Sequence, residues 1–116
     1  MLAGTRYLGG AVLFFVRFDV TQPANVTNAD LVATWQREAQ AALGAMEAGA
    51  VKHLWKVSGQ RVVLGVIDLP SAEDLDHALA GLPIIREMGA GVRTEAWPIY
   101  DYATFAADLD SGVHGP

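Results

Sequence analysis

The stretch Ala11-Val12-Leu13-Phe14-Phe15-Val16-Arg17-Phe18-Asp19-Val20 constrains the fold more than any other part of the chain. It is dense in β-branched and aromatic residues and stops before Gln22-Pro23, the pattern of a strand. Side chains alternate across a strand, so Phe14, Val16, Phe18 and Val20 share one face. Leu13, Phe15, Arg17 and Asp19 share the other. The first face is wholly apolar and should meet helices. The second is apolar at one end and charged at the other.

Helix signals follow. Thr27-Asn28-Ala29-Asp30 has the form of a capping box, and Gly49 provides a stop after Ala48. Between them Leu31, Trp35, Ala39, Ala42, Leu43 and Met46 form one stripe at helical spacing. Glu38 borders that stripe and Arg37 points roughly away from it. Val51 to Ser58 reads as a second strand, with His53, Trp55 and Val57 on one face and Lys52, Leu54, Lys56 and Ser58 on the other. Ser58-Gly59-Gln60 turns the chain into a third strand, Arg61 to Leu69, apolar enough to be central. Gly65 within it leaves room for something to approach the sheet. Ser71 to Asp74 caps a second helix with Leu75, Ala78, Leu79 and Leu82 inward; Gly81 and Pro83 end it. Val92 to Trp97 is a fourth strand, closed by Pro98. Asp101 caps a short terminal helix bearing Tyr102, Phe105, Ala106 and Leu109.

This order predicts an α+β fold, the ferredoxin-like βαββαβ arrangement with a C-terminal helix. Two helices cover one face of a four-stranded antiparallel sheet. The other face, with Leu13 and Phe15, is left bare, which predicts a second sheet against it in a dimeric α/β barrel. Residues 1–10 read as a flexible leader, 11–110 as a single domain and 111–116 as a tail, with His114 disordered in it.

Composition agrees with a covered apolar surface: 52% of residues are hydrophobic and 18% charged. The net charge of −5 is uneven, +2 over residues 1–66 and −7 over 67–116. No Lys/Arg cluster exists to follow a nucleic-acid backbone. The absence of cysteine removes disulfide, thiolate and cysteine–metal chemistry and agrees with a cytoplasmic protein. The apolar run Ala11 to Val16 is too short to span a membrane.

Leu13-Phe14-Phe15-Val16-Arg17-Phe18-Asp19-Val20 resembles the opening strand of muconolactone isomerases. His53-Leu54-Trp55-Lys56-Val57-x-Gly59 is similar to that family's His-Leu-Trp-Arg-Val-x-Gly strand. Arg37-Glu38 and Leu79-x-Gly81-Leu82-Pro83 resemble its first and second helices, so the similarity covers roughly residues 12 to 100. The resemblance implies a ferredoxin-like fold, dimers and often a decamer, no metal or organic cofactor, and a proton shift along an unsaturated lactone. The sequence also departs from the family pattern, beginning with an N-terminal extension. His77 comes one residue later than the family's helix histidine, with Asp76 at the matching position. Val63 stands where the family has asparagine. Ile84 to Gly89 lacks the family's Phe-Pro-Tyr and Asp.

A proton shift beside a lactone carbonyl needs a base, a donor to the developing oxyanion and a cation for the substrate's carboxylate. Glu38 is the first candidate base, because burial at the stripe's edge raises a carboxyl pKa; the alternative is a solvated helix glutamate. His53 is either an acid/base or oxyanion donor, or a packed strand histidine. Arg17 is either a carboxylate clamp or a partner for Asp19. Lys56 replaces the expected arginine, keeping the charge without the planar fork, or is an exposed strand lysine. Trp55 is the better of two tryptophans for a pocket wall. Asp68 reads as structural. No metal-spaced histidine pair, phosphate loop or nucleophile elbow is present.

The sequence therefore predicts a cofactor-independent isomerase acting on a small-molecule substrate. Glu38 and His53 are its catalytic candidates; Arg17, Trp55 and Lys56 are its binding candidates. Two alternatives stand beside it: a cofactor-independent oxygenase or cyclase on an aromatic polyketide-like substrate, and a non-catalytic binding or assembly protein.

Overall fold

The computed structural model describes residues 12–116, so the leader expected over 1–10 lies outside the described residues. Strand β1 (Val12–Val20) alternates as its sequence demands: Phe14, Val16, Phe18 and Val20 are buried, and the residues between them are half-buried. Helix α1 (Asn28–Ala48) opens on a complete capping box between Thr27 and Asp30 and closes on Gly49, whose φ of 95° suits a residue without a Cβ. Strands β2 (Val51–Lys56) and β3 (Val62–Leu69) form the hairpin. Helix α2 (Ala72–Ala80) starts at Ser71, whose hydroxyl accepts from the Asp74 amide.

Four features after α2 differ from expectation. Pro83 does end α2, but it also opens a further helix, α3 (Pro83–Met88), which leads through a short 3-10 turn into β4. Proline suits a first helical position, where its missing N–H has no partner to lose. Strand β4 (Val92–Ile99) runs through Pro98 instead of closing at it. It is an edge strand, where proline's lost donor can face outward. Helix α4 (Tyr102–Ser111) forms as expected, but the Asp101 side chain makes no capping bond, and none of the helix's residues is buried. His114, expected to be disordered, packs edge-on against the Phe105 ring at 5.3 Å.

The sheet has the order β2-β3-β1-β4 and every neighbouring pair is antiparallel, which is the ferredoxin-like arrangement. Helices α1, α2 and α3 cover one face. There Phe14, Val16, Phe18 and Leu69 meet Leu75 of α2, while Val20 meets Leu31, Ile84 and Met88. Gly91 lies tight against the end of β1, its carbonyl accepting from the Thr21 amide at 2.6 Å.

Register places the remaining residues. Phe14, Val16 and Phe18 pair with Ile67, Gly65 and Val63, so these share the helix-covered face. Leu54 and Lys56 pair with Gly65 and Val63 and join them. A bulge between Val51 and His53 then puts His53 opposite Val66 and Trp55 opposite Leu64, on the open face. Gly65 does leave room, and Leu54 fills it: a Cβ on Gly65 would stand 3.0 Å from Leu54 Cδ1.

Candidate functional site

The apolar stripe of α1 is buried only at its beginning. Leu31 is 2% exposed, whereas Leu43, further along, is 62% exposed. The reason is side-chain length. Ala39, Ala42 and Ala45 are too short to reach Val63 and Ile67 on the sheet. A cavity of about 500 Å³ results between α1 and the sheet, closed at one end by Leu82 and Ile84 and bordered by Leu54 and Trp55.

Glu38 stands on the wall of this cavity, half-buried among apolar groups. Burial raises its pKa above the ordinary 4.5, and a hydrogen bond from the Ile84 amide opposes that rise. The amide donates to Glu38 Oε1 at 3.0 Å. A small cluster holds α3 in place to make this bond. Thr34, 2% exposed, donates its hydroxyl to Glu87 Oε1 at 2.9 Å, and Arg37 forms an ion pair with the same oxygen. Arg37, expected to point away, thus ties α1 to α3. Glu38 therefore has the environment of a general base: fixed in position, partly desolvated, and open to a ligand.

Lys56 lines the same cavity at the end of β2. Its ammonium donates to the Val57 carbonyl at 2.9 Å. Glu38 and Lys56 are the two charged side chains among the described lining residues.

Residues 12–94 match the family described as muconolactone delta-isomerase. The chain belongs to that family. Among solved structures it is similar to a crystal structure of muconolactone isomerase determined at 3.3 Å resolution, with 26% identity and a TM-score of 0.66. That alignment covers 77% of this chain and 88% of the other. No curated protein matches the chain.

Within this muconolactone delta-isomerase fold, the remaining candidates lie elsewhere. His53 is exposed on the open sheet face, its ring stacked on Trp55 at 5.5 Å and nearly parallel. Trp55 is on that face by register, yet as an edge-strand residue it also borders the cavity. Arg17 is on the open face, 3.3 Å from Asp19. One protomer therefore separates Glu38 and Lys56 from His53 and Arg17 by the thickness of the sheet. His77 is exposed, 3.9 Å from Glu73 one helical turn before it. Asp68 is 9% exposed; Lys52 stands 3.8 Å from its Oδ2, while Oδ1 has no partner among the described residues.

The open face itself is patterned. Phe15 stacks on Trp97 at 5.8 Å, beside Leu13 and Ile99. Further along, Arg17 and Asp19 pair across strands with Glu95 and Arg93. Apolar residues occupy one end and alternating charges the other.

Sequence reasoning missed the groups that α3 brings: the Ile84 amide, the Leu82–Ile84 wall and the Glu87 anchor. The signal was Pro83, which marks a helix's first turn as well as an end. No group of three or more His, Asp or Glu side chains among the described residues is placed to hold a metal ion. No described helix is long and apolar enough to cross a membrane.

Proposed function

We propose that this protein is a cofactor-independent isomerase that moves a carbon–carbon double bond relative to a carbonyl by proton transfer. The observation that carries this reading is Glu38, a carboxyl with a raised pKa, held by the Ile84 amide on the wall of an apolar cavity. Membership of the muconolactone delta-isomerase family supports it.

In the proposed reaction ionised Glu38 removes a proton from the carbon at the far end of the unsaturated system. The C–H electrons become the new double bond, and the negative charge moves to the carbonyl oxygen. The carboxyl then returns its proton to the carbon beside the carbonyl. One C–H bond breaks, one forms, and nothing is oxidised. Lys56 supplies positive charge for the developing oxyanion once it leaves the Val57 carbonyl. Trp55 shapes the cavity's border.

His53 and Arg17 contribute to a site only where a second copy closes over the open face. Such self-association is part of the proposal. Its support is the apolar group around Phe15 and Trp97 and the alternating charges of Arg17, Asp19, Arg93 and Glu95, a pattern complementary to itself when turned about a two-fold axis.

The test is direct. Purified protein is mixed with muconolactone in deuterated buffer, and enol-lactone formation and C–H exchange are followed by proton NMR. Catalysed C–H exchange, falling by about 10²–10⁴ in Glu38→Gln, is the expected result. Turnover unchanged by Glu38→Gln removes Glu38 from the mechanism.

A further inference from the structure

The cavity's shape and wall speak to the size and polarity of what it takes. At about 500 Å³ it lies in the range, roughly 300–1,000 Å³, that holds drug-sized molecules. A small lactone acid would leave much of this wall without contacts, and each unfilled stretch forfeits dispersion energy. The wall also offers little to a carboxylate. Arg17, the guanidinium suited to grip one, is on the opposite face of the sheet, paired with Asp19. Lys56, the one cation among the described lining residues, serves the carbonyl oxygen in the proposed reaction and leaves no second cation for a carboxylate. Glu38 would repel a second anion in a medium that screens poorly. Val63, beside Lys56 in the sheet and on the cavity wall, adds no polar atom. At the mouth Leu43 and Trp55 are 62% and 51% exposed, the ends of an apolar surface continuous with the interior.

We propose that the substrate of this cavity is a fused-ring, largely apolar, enolisable ketone or lactone without a free carboxylate, spanning from Glu38 to the mouth at Leu43 and Trp55. The proposal rests on the reading of Glu38 as the base. The rings lie against Ala39, Ala42, Val63 and Leu82. The carbon at the far end of the unsaturated system faces Glu38, whose carboxylate takes its proton while the C–H electrons form the new double bond and the charge moves to the carbonyl oxygen. The same proton, or one exchanged from solvent, then returns to the carbon beside the carbonyl.

The experiment uses full-length protein and three defined probes. 2-Naphthol, a planar two-ring enol, and muconolactone are compared for binding by calorimetry. 2-Tetralone, an enolisable two-ring ketone, is followed by NMR for deuterium exchange beside its carbonyl. The expected result is 2-naphthol binding at least about tenfold more tightly than muconolactone. Ala42→Trp, which fills the cavity, should weaken naphthol binding by at least tenfold. Val63→Asn, a smaller change that keeps the fold if the tryptophan does not, should weaken it severalfold. Glu38→Gln should keep naphthol binding and lose the catalysed tetralone exchange.

Muconolactone binding more tightly than 2-naphthol overturns the proposal. So does naphthol binding that both wall variants leave unchanged, including a case where Ala42→Trp alters only the oligomeric state. The two readings fail separately. Tight naphthol binding sensitive to the wall, with no exchange on any probe, removes the base and keeps the ligand class. Rapid muconolactone turnover without naphthol binding does the reverse.

Discussion

The backbone amide of Ile84 donates to the carboxylate of Glu38 across 3.0 Å, joining the first turn of α3 to the middle of α1. A glutamine at position 38 retains an oxygen to accept this bond. Glu38→Gln should therefore fold like the wild type by circular dichroism while losing proton-transfer activity, which separates the chemical role from a structural one.

The pH dependence of stability follows from the direction of the shift. Burial raises the Glu38 pKa above 4.5, so between that value and the folded-state pKa the native protein binds more protons than the unfolded chain. This group's contribution to stability is therefore fullest below 4.5 and declines as pH rises through the folded value. Urea unfolding of wild type and Glu38→Gln across this range should show the decline in the wild type and its loss in the variant. Activity should move the opposite way, with kcat/KM rising on an acid limb above 4.5 as the base ionises.

Gly65→Ala places a Cβ 3.0 Å from Leu54 Cδ1. The obstacle is the end of a flexible side chain, and the cavity lies beside it. Leu54 should turn into the hollow, changing stability by less than about 1 kcal/mol while weakening naphthol binding severalfold. Paired thermal melts and calorimetry check both halves.

Gly91→Ala meets a rigid obstacle instead. A Cβ there would stand 2.2 Å from the Thr21 carbonyl oxygen, and that backbone is held by the Thr21–Gly91 hydrogen bond. The expected cost is about 1–3 kcal/mol, read as a lower urea midpoint with an unchanged slope.

Trp97, on the edge strand β4, is 46% exposed and stacked on Phe15 at the open face's apolar end. Trp97→Asp should reduce self-association, measured by sedimentation velocity, and leave the secondary structure intact. An unchanged sedimentation coefficient would place any interface elsewhere.

Most element ends were legible because their causes are local. The box between Thr27 and Asp30, the Ser71 cap and the Gly49 stop each act over a few residues, and each forms. The alternation in β1 also held, because a strand's period leaves Phe14 and Phe15 no choice but opposite faces. His53 and Lys56 were likewise assigned to opposite faces, and the register agrees. Asp101 occupies the cap position of α4 but makes no side-chain capping bond, although its residue type suits one. α3 was missed because a six-residue helix shows too little periodicity to announce itself, and Pro83 reads as an ending as readily as a beginning.

The candidate site divides along the same line. Glu38 was visible as a carboxyl at the edge of an apolar stripe, since a helix's own geometry sets that position. Its partnership with Ile84 joins residues 46 positions apart and depends on where α3 docks. Grouping Glu38 with His53 required knowing which sheet face holds the cavity, and both faces of β1 begin apolar. Packing decides that: short alanines facing Val63 and Ile67 leave a hollow on the helix side, and the sheet then stands between Glu38 and His53. Short-range patterning sets the strands, helices and their order. The cavity, and which charges share it, come from long-range packing, because a void is a property of the elements that surround it and of no single segment.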